Sequence, residues 1–288
     1  MDTPAYSLKM PEEVRAPFMF AVPHSGRLYP MDLRSRCRLP ELLLRSSEDA
    51  LVDELYDFVP DLGAPLLVAN VARAYVDLNR AADELDFHLF DWTDNEPQQT
   101  FRRTHRVRAG LGVIPRFVSN SQSIYETLLH PDEIKQRLDW VYYPYHTALQ
   151  STLAKLKEQF GYAVLIDCHS MPSPEPVLSF RRPGPDVVLG DSWGSSADRG
   201  LTSRIESLFR QAGYSARRNL PYAGGYATTH YGKPHKSIHA LQIELNRAIY
   251  MQEKTLEPRP GFKKLKDNLQ RIVSALLEDA GGKAMAAE

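Results

Sequence analysis

Apolar and polar positions along this chain follow two different periods. Short apolar runs bounded by turn residues occur at Pro17–Val22, Pro65–Val71, Tyr75–Leu78, Tyr162–Ile166, Val187–Leu189 and Ile238–Leu245. Runs of this length, rich in Val, Ile, Leu and aromatic residues, predict buried strands. Helical spacing lies between them. Ser46 and Ser47 are expected to cap a helix through Leu51, Val52, Leu55, Tyr56 and Val59 that ends before Gly63. A longer one begins after Pro131, carries Ile134, Leu138, Tyr142, Tyr145, Leu149, Leu153, Leu156 and Phe160, and stops at Gly161. A third comes after Ser195 and Ser196, with Leu201, Ile205, Leu208 and Phe209 before Gly213, and a closing helix is expected over Phe262–Leu277. Strands alternating with helices predict an α/β fold, a mostly parallel open sheet with helices on both faces. The polar, aperiodic stretch Phe87–Ser123 reads as a long surface excursion of the kind that borders a site.

Composition narrows the picture by exclusion. The 288 residues carry no repeat and no linker, and the 21 prolines are scattered, so one continuous domain over 1–288 is expected. Lys and Arg number 35 against 36 Asp and Glu, and a net charge of −1 removes the usual warrant for a nucleic-acid or membrane-surface partner. No apolar window is long enough to span a membrane, and the start MDTPAYSLKMPEEVR lacks signal-peptide features, so a cytoplasmic protein is expected. Cys37 and Cys168 are too few for a disulfide scaffold or a Cys-rich zinc site. Cys168 is expected to be a small buried residue, since nothing nearby would lower its pKa. What stands out is nine histidines, several in the company of carboxylates.

Open α/β sheets collect ligands at the carboxyl ends of their strands. The segments after the predicted strands are unusually polar here: Pro23-His24-Ser25-Gly26, Asp77-Leu78-Asn79-Arg80 and Asp167-Cys168-His169-Ser170. In IHALQIEL, Gln242 and Glu244 share one face and His239 points away from them, into the core. Each residue has an ordinary reading alone. His24 suits a turn, His169 can bond its own loop, Arg80 can pair at the surface, and His88, His105, His130 and His146 sit in polar or helical settings. Together they describe a zinc hydrolase. Two histidines and one carboxylate, with Glu48 and Asp49 both available, leave a fourth position for water, whose pKa zinc lowers to about 7. Glu244 off the metal would serve as general base and then acid. Arg80 would grip a substrate carboxylate with Asn79 beside it. There is no G-x-S-x-G and no P-loop or strand-linked G-x-G-x-x-G, which argues against a serine hydrolase or a nucleotide site.

Six separated motifs in order carry a resemblance: VPHSG (22–26), SEDALVDELYDF (47–58), AYVDLNR (74–80), DCHSMP (167–172), PYAGGYATTHYGKP (221–234) and HALQIELNRAIYMQE (239–253). They resemble the N-formylglutamate amidohydrolase family. The resemblance implies a zinc-carboxypeptidase-like α/β fold, a central mixed and largely parallel sheet flanked by helices. It implies hydrolysis of N-formyl-L-glutamate to formate and L-glutamate, a step of histidine degradation, with one zinc ion per chain. By motif, His24 and His169 become metal ligands, Glu244 the catalytic glutamate, and Asn79 and Arg80 the grip on the substrate α-carboxylate. Projected on a helix, Glu48 falls on the apolar stripe and Asp49 off it; the motif points to Asp49 as the third ligand. Gly225, Tyr226 and His230 of the GGYATTHYG loop would line the substrate pocket. One of Arg102, Arg103, Arg106, Arg108 and Arg116, around GLGVIPR (110–116), would meet a second carboxylate or the oxyanion. The implied partner is a small anionic N-acyl amino acid, and a homo-oligomer is compatible with the pattern. Two rivals remain at this level: the same chemistry on another N-acyl amino acid or peptide amide, and a non-catalytic metal- or carboxylate-binding relative.

Overall fold

A computed structural model describes residues 3–93, 101–118, 122–173 and 184–285. Parts of the predicted excursion, 94–100 and 119–121, lie outside them. The strands are β1 (Tyr6–Lys9), β2 (Phe18–Val22), β3 (Leu66–Ala69), β4 (Phe117–Val118), β5 (Gln122–Ser123), β6 (Ala163–Met171), β7 (Val187–Gly190), β8 (Ala216–Arg218), β9 (Ile238–Asn246), β10 (Met251–Gln252) and β11 (Glu257–Pro258). Seven of them form one sheet in the order β1-β3-β2-β6-β9-β7-β8. β2 pairs parallel with β6, β6 with β9 and β7 with β8, while β7 runs antiparallel to β9. β4 with β5, and β10 with β11, are separate antiparallel ladders. The sheet is therefore mixed and mostly parallel, with helices flanking it, as the pattern predicts.

The chain divides into two compact units. One comprises Met1–Ser7, Pro23–Glu48 and Val68–Leu149; the other comprises Leu8–Val22, Asp49–Leu67 and Gln150–Glu288. The second holds β2, β6, β7, β8 and β9 whole. All residues of β2, β6 and β7 are buried, which is why they read as continuous apolar runs rather than alternating ones. The helix Arg199–Gln211 buries Ile205, Leu208 and Phe209. Its cap is Asp198, whose carboxylate accepts from the backbone N–H of Gly200 (2.8 Å) and Leu201 (3.2 Å), so Ser195 and Ser196 lie outside it. The closing helix Gly261–Met285 outruns its predicted length and buries Leu265, Leu269, Ile272 and Leu276 along one stripe. Among the described residues no helix is long and apolar enough to cross a membrane.

Other predicted elements differ from the structure. Tyr75–Leu78 is buried but is not a strand. Its amides are taken up locally, Tyr75 by Ala72 (2.9 Å), and by Val113, which accepts from Asp77 (2.8 Å). The helix expected from Ser46 is broken: a 3-10 turn at Arg45–Ser47 and a helix at Val52–Leu55 are separated by Glu48 in extended conformation and Leu51 at φ 66°. Ser46 and Ser47 donate backward to Leu43 and Leu44 instead of capping forward. The helix after Pro131 runs as predicted, but through a π turn at Leu138–Tyr142 before Tyr143–Phe160.

Candidate active site

After β2 the chain enters the first unit with the loop Pro23-His24-Ser25-Gly26. Gly26 admits no side chain, since a Cβ would lie 2.2 Å from the Val71 carbonyl oxygen. That contact lets the loop lie along 70–72, where the Leu28 amide donates to Asn70 (2.8 Å) and the Ala72 amide to Leu28 (2.9 Å). Asp77 then organises the predicted residues. Its Oδ1 bonds His24 Nε2 at 2.8 Å and accepts from the Asn79 amide at 2.9 Å. Its Oδ2 accepts from Arg73 at 3.0 Å and lies 3.7 Å from Arg80 Nη2. His24, Asp77, Asn79 and Arg80 are all buried. Burial pushes the Asp77 carboxyl up, but the Arg73 and Arg80 guanidiniums and His24 outweigh it and hold it well below the usual carboxylate range. A histidine oriented through Nε2 in this way offers a metal its Nδ1, with the carboxylate fixing ring and tautomer.

Arg80 is anchored by donating from Nε to the Leu111 carbonyl (3.0 Å) and from Nη1 to that of Asn79 (2.8 Å). Burial pushes its pKa down to about 10, opposed by Asp77 and Glu84 and aided by Arg73 and Arg106. Among the arginines around GLGVIPR, Arg106 is thus one whose charge reaches Arg80. Arg102 pairs with Asp83 at 2.6 Å, and Arg116 lies 3.7 Å from Asp86. The GLGVIPR segment supplies the Leu111 carbonyl to the site. Glu48 is fully buried and its carboxylate accepts from the Tyr29 hydroxyl and from Arg45 Nε at 3.1 Å.

In the second unit the candidate residues stand on adjacent strands. β6 does not stop at Ile166 as predicted but continues to Met171, so Asp167 and His169 are strand residues of one parity and Cys168 takes the other face. The parallel register sets Asp167 beside Gln242 and His169 beside Glu244. His169 Nε2 faces Asp167 Oδ2 at 2.9 Å, and its Nδ1 faces Asp49 Oδ2 at 3.0 Å. Burial pushes the imidazole pKa down, but the Asp167 charge and the bonds to Asp167 and Asp49 outweigh it and raise it well above the ordinary value. An imidazole between two carboxylates thus holds a proton where a divalent cation would replace it. Gln242 donates to Glu244 Oε1 at 2.7 Å, and both are buried. Cys168 is buried, and burial pushes its thiol up, which fits the expected packing role.

Asp49 has further partners that the sequence does not announce. Its Oδ1 accepts from Arg247 Nη2 (3.0 Å) and from the Ser170 hydroxyl (3.3 Å). The adjoining Ala50 carbonyl accepts from the Tyr250 hydroxyl (3.0 Å). The substrate-loop residues sit on a short helix, Tyr226–Tyr231, that packs against β6 and β9. Gly225 is its N-cap, Gly224 carries the left-handed φ of 130°, and Tyr226 and His230 stack at 4.6 Å. His230 is exposed. His239 lies opposite Gln242 and Glu244 by parity, but it is half-buried rather than in the core. It accepts from the Asp198 amide at 3.2 Å and lines an 840 Å³ groove with Tyr162, Leu201 and Leu276. His146 packs against Tyr142 at 4.2 Å, as its helical setting suggests. The two imidazoles and the Asp49 carboxylate, all buried, are the donor kinds that zinc takes.

The family model for N-formylglutamate amidohydrolase matches residues 16–251. N-formylglutamate deformylases of Pseudomonas putida and Pseudomonas aeruginosa are each 33% identical to this chain, over 92% of it and 92% of their own lengths. The crystal structure of N-formylglutamate amidohydrolase from Ralstonia eutropha JMP134 is similar with a TM-score of 0.90 at 32% identity, covering 96% of this chain and 99% of that one. Matched by the family model over most of its length and by relatives along nine-tenths of both sequences, the chain belongs to the N-formylglutamate amidohydrolase family.

Proposed function

We propose that this protein is a cytoplasmic, zinc-dependent amidohydrolase that converts N-formyl-L-glutamate to formate and L-glutamate. One zinc ion per chain is held by His24, Asp49 and His169, and residues 1–288 make a single amidohydrolase domain. The observation that carries the reading is the buried series Asp167, His169, Asp49, in which an imidazole is fixed by one carboxylate and turned toward another. Asp49 is favoured over Glu48 because its Oδ2 faces His169 Nδ1 at 3.0 Å, whereas the Glu48 carboxylate is turned to Tyr29 and Arg45. The substrate is inferred from the deformylase relatives.

The ion, when bound, polarises the formyl carbonyl and acidifies water. The remaining steps belong to the chain. Glu244, oriented by Gln242, takes a proton from the attacking water and returns it to the departing amine. Arg80 and Asn79 hold the α-carboxylate, so that binding energy away from the reacting bond orients the amide. Arg73, Arg80 and Arg106 against Asp77 and Glu84 leave a local excess of positive charge, which suits a dianionic substrate in a chain of nearly zero net charge. Gly225, Tyr226 and His230 line the substrate pocket. The test is formate release by chelated and zinc-reloaded protein on N-formyl- and N-acetyl-glutamate and -aspartate. Activity lost on chelation, restored by zinc and highest on N-formylglutamate is expected; full activity without metal, or preference for another acyl amino acid, overturns it.

A further inference from the structure

The Asp49 carboxylate is held unequally. Its Oδ2 faces His169 Nδ1 at 3.0 Å, while its Oδ1 takes Arg247 Nη2 at 3.0 Å and the Ser170 hydroxyl at 3.3 Å. Arg247 Nε in turn donates to Ser170 Oγ at 3.1 Å. The hydroxyl therefore accepts from the guanidinium and donates to the carboxylate, closing a ring of three side chains, all buried. Arg247 is delivered from a fixed place, the start of the 3-10 turn Arg247–Ile249, which is capped by Asn246 accepting from the Ala248 amide at 3.0 Å.

We infer that Arg247, with Ser170, is a positioning residue that commits Asp49 to metal through Oδ2 alone. The inference rests on the metal site proposed above. A carboxylate can give a cation one oxygen or two. Here Oδ1 already serves two donors, one of them a guanidinium, so a dication approaching that oxygen meets like charge. Single-oxygen binding by Asp49 keeps a coordination position open for the reactants, which catalytic zinc sites need. Without Arg247 the carboxylate rotates to offer both oxygens, and the site retains its ion while losing the open position.

The test uses full-length protein loaded with cobalt(II), whose visible absorption weakens as coordination number rises, alongside turnover of the zinc form. In Arg247→Ala the cobalt bands weaken toward those of a higher-coordinate ion. At full metal loading kcat falls about 10–100-fold with KM within threefold. Arg247→Lys, which keeps the charge but not the fork, and Ser170→Ala shift the spectrum the same way by less, and they decide the matter if the alanine variant does not fold. Folded Arg247→Lys and Ser170→Ala proteins with wild-type cobalt spectra overturn the inference while leaving the metal site standing. Wild-type protein that takes up neither cobalt nor zinc overturns both.

Discussion

Two buried histidines of this chain are each turned by a carboxylate, and the two carboxylates are held in opposite ways. Asp77, which orients His24, lies in a loop and is shared with the guanidiniums of Arg73 and Arg80. Asp167, which orients His169, lies two residues away on the same strand, placed by the β6 ladder itself. The loop-borne pair depends on two guanidiniums. The strand-borne pair depends on an imidazole that can discard its proton. Removing the carboxylate should therefore strand buried charge in the first case and only weaken a ligand in the second.

The largest effect is expected beside the strand-borne histidine, where the reaction itself is served. Glu244→Gln should lower kcat for formate release by about 10²–10⁴-fold while zinc content, measured by elemental analysis, is unchanged. Near-normal turnover would remove Glu244 as the base. Next comes Asp77→Asn, which leaves two guanidiniums without their shared counter-charge; thermal unfolding should show a loss of about 3–5 kcal/mol. Asp167→Asn should instead cost about 10–100-fold in zinc affinity, read by chelator competition, with a much smaller change in unfolding. Equal stability losses in the two asparagine variants would erase the distinction between the two carboxylates.

The smallest effects concern pH and have opposite signs. The Asp77 carboxyl is depressed in the folded chain, so it stabilises above its ordinary pKa of 3.8, and that contribution is lost as pH falls through the lower folded value. Asp77→Asn should flatten the acid limb of a stability–pH curve. His169 in metal-free protein is raised, so it stabilises below its ordinary 6.5, and the contribution is lost as pH climbs through the higher folded value. Zinc loading should remove that alkaline slope, which unfolding of the chelated and reloaded forms at matched pH will show.

The candidate site residues stand where apolar runs give way to polar ones, a legible signal because polar residues at a strand end interrupt burial. The same signal misleads at β6. Asp167 and His169 look like the end of the strand because they are polar, yet their mutual pairing allows the strand to continue buried. The apolar spacing sets Glu48 and Asp49 on a helix from Ser46, but Leu51 at φ 66° breaks it, a conformation no side-chain pattern announces. β8, Ala216–Arg218, is invisible in the sequence because two arginines carry no apolar signal. Arg247 and Ser170 are hidden as partners of Asp49 for another reason. The Arg247–Asp49 contact spans 198 positions, and only the folded sheet brings such distant residues together.

The extension of β6 through Asp-Cys-His-Ser has a consequence for how the chain can vary. Side chains on a strand are counted by twos, so the identity of the site face depends on the number of residues as well as on their kinds. A loop can gain or lose a residue and adjust its path. One residue lost between Ala163 and Asp167 would keep every side chain the site uses and still set Cys168 beside Gln242 and Ser170 beside Glu244, in place of Asp167 and His169. Along this segment length itself is part of the chemistry.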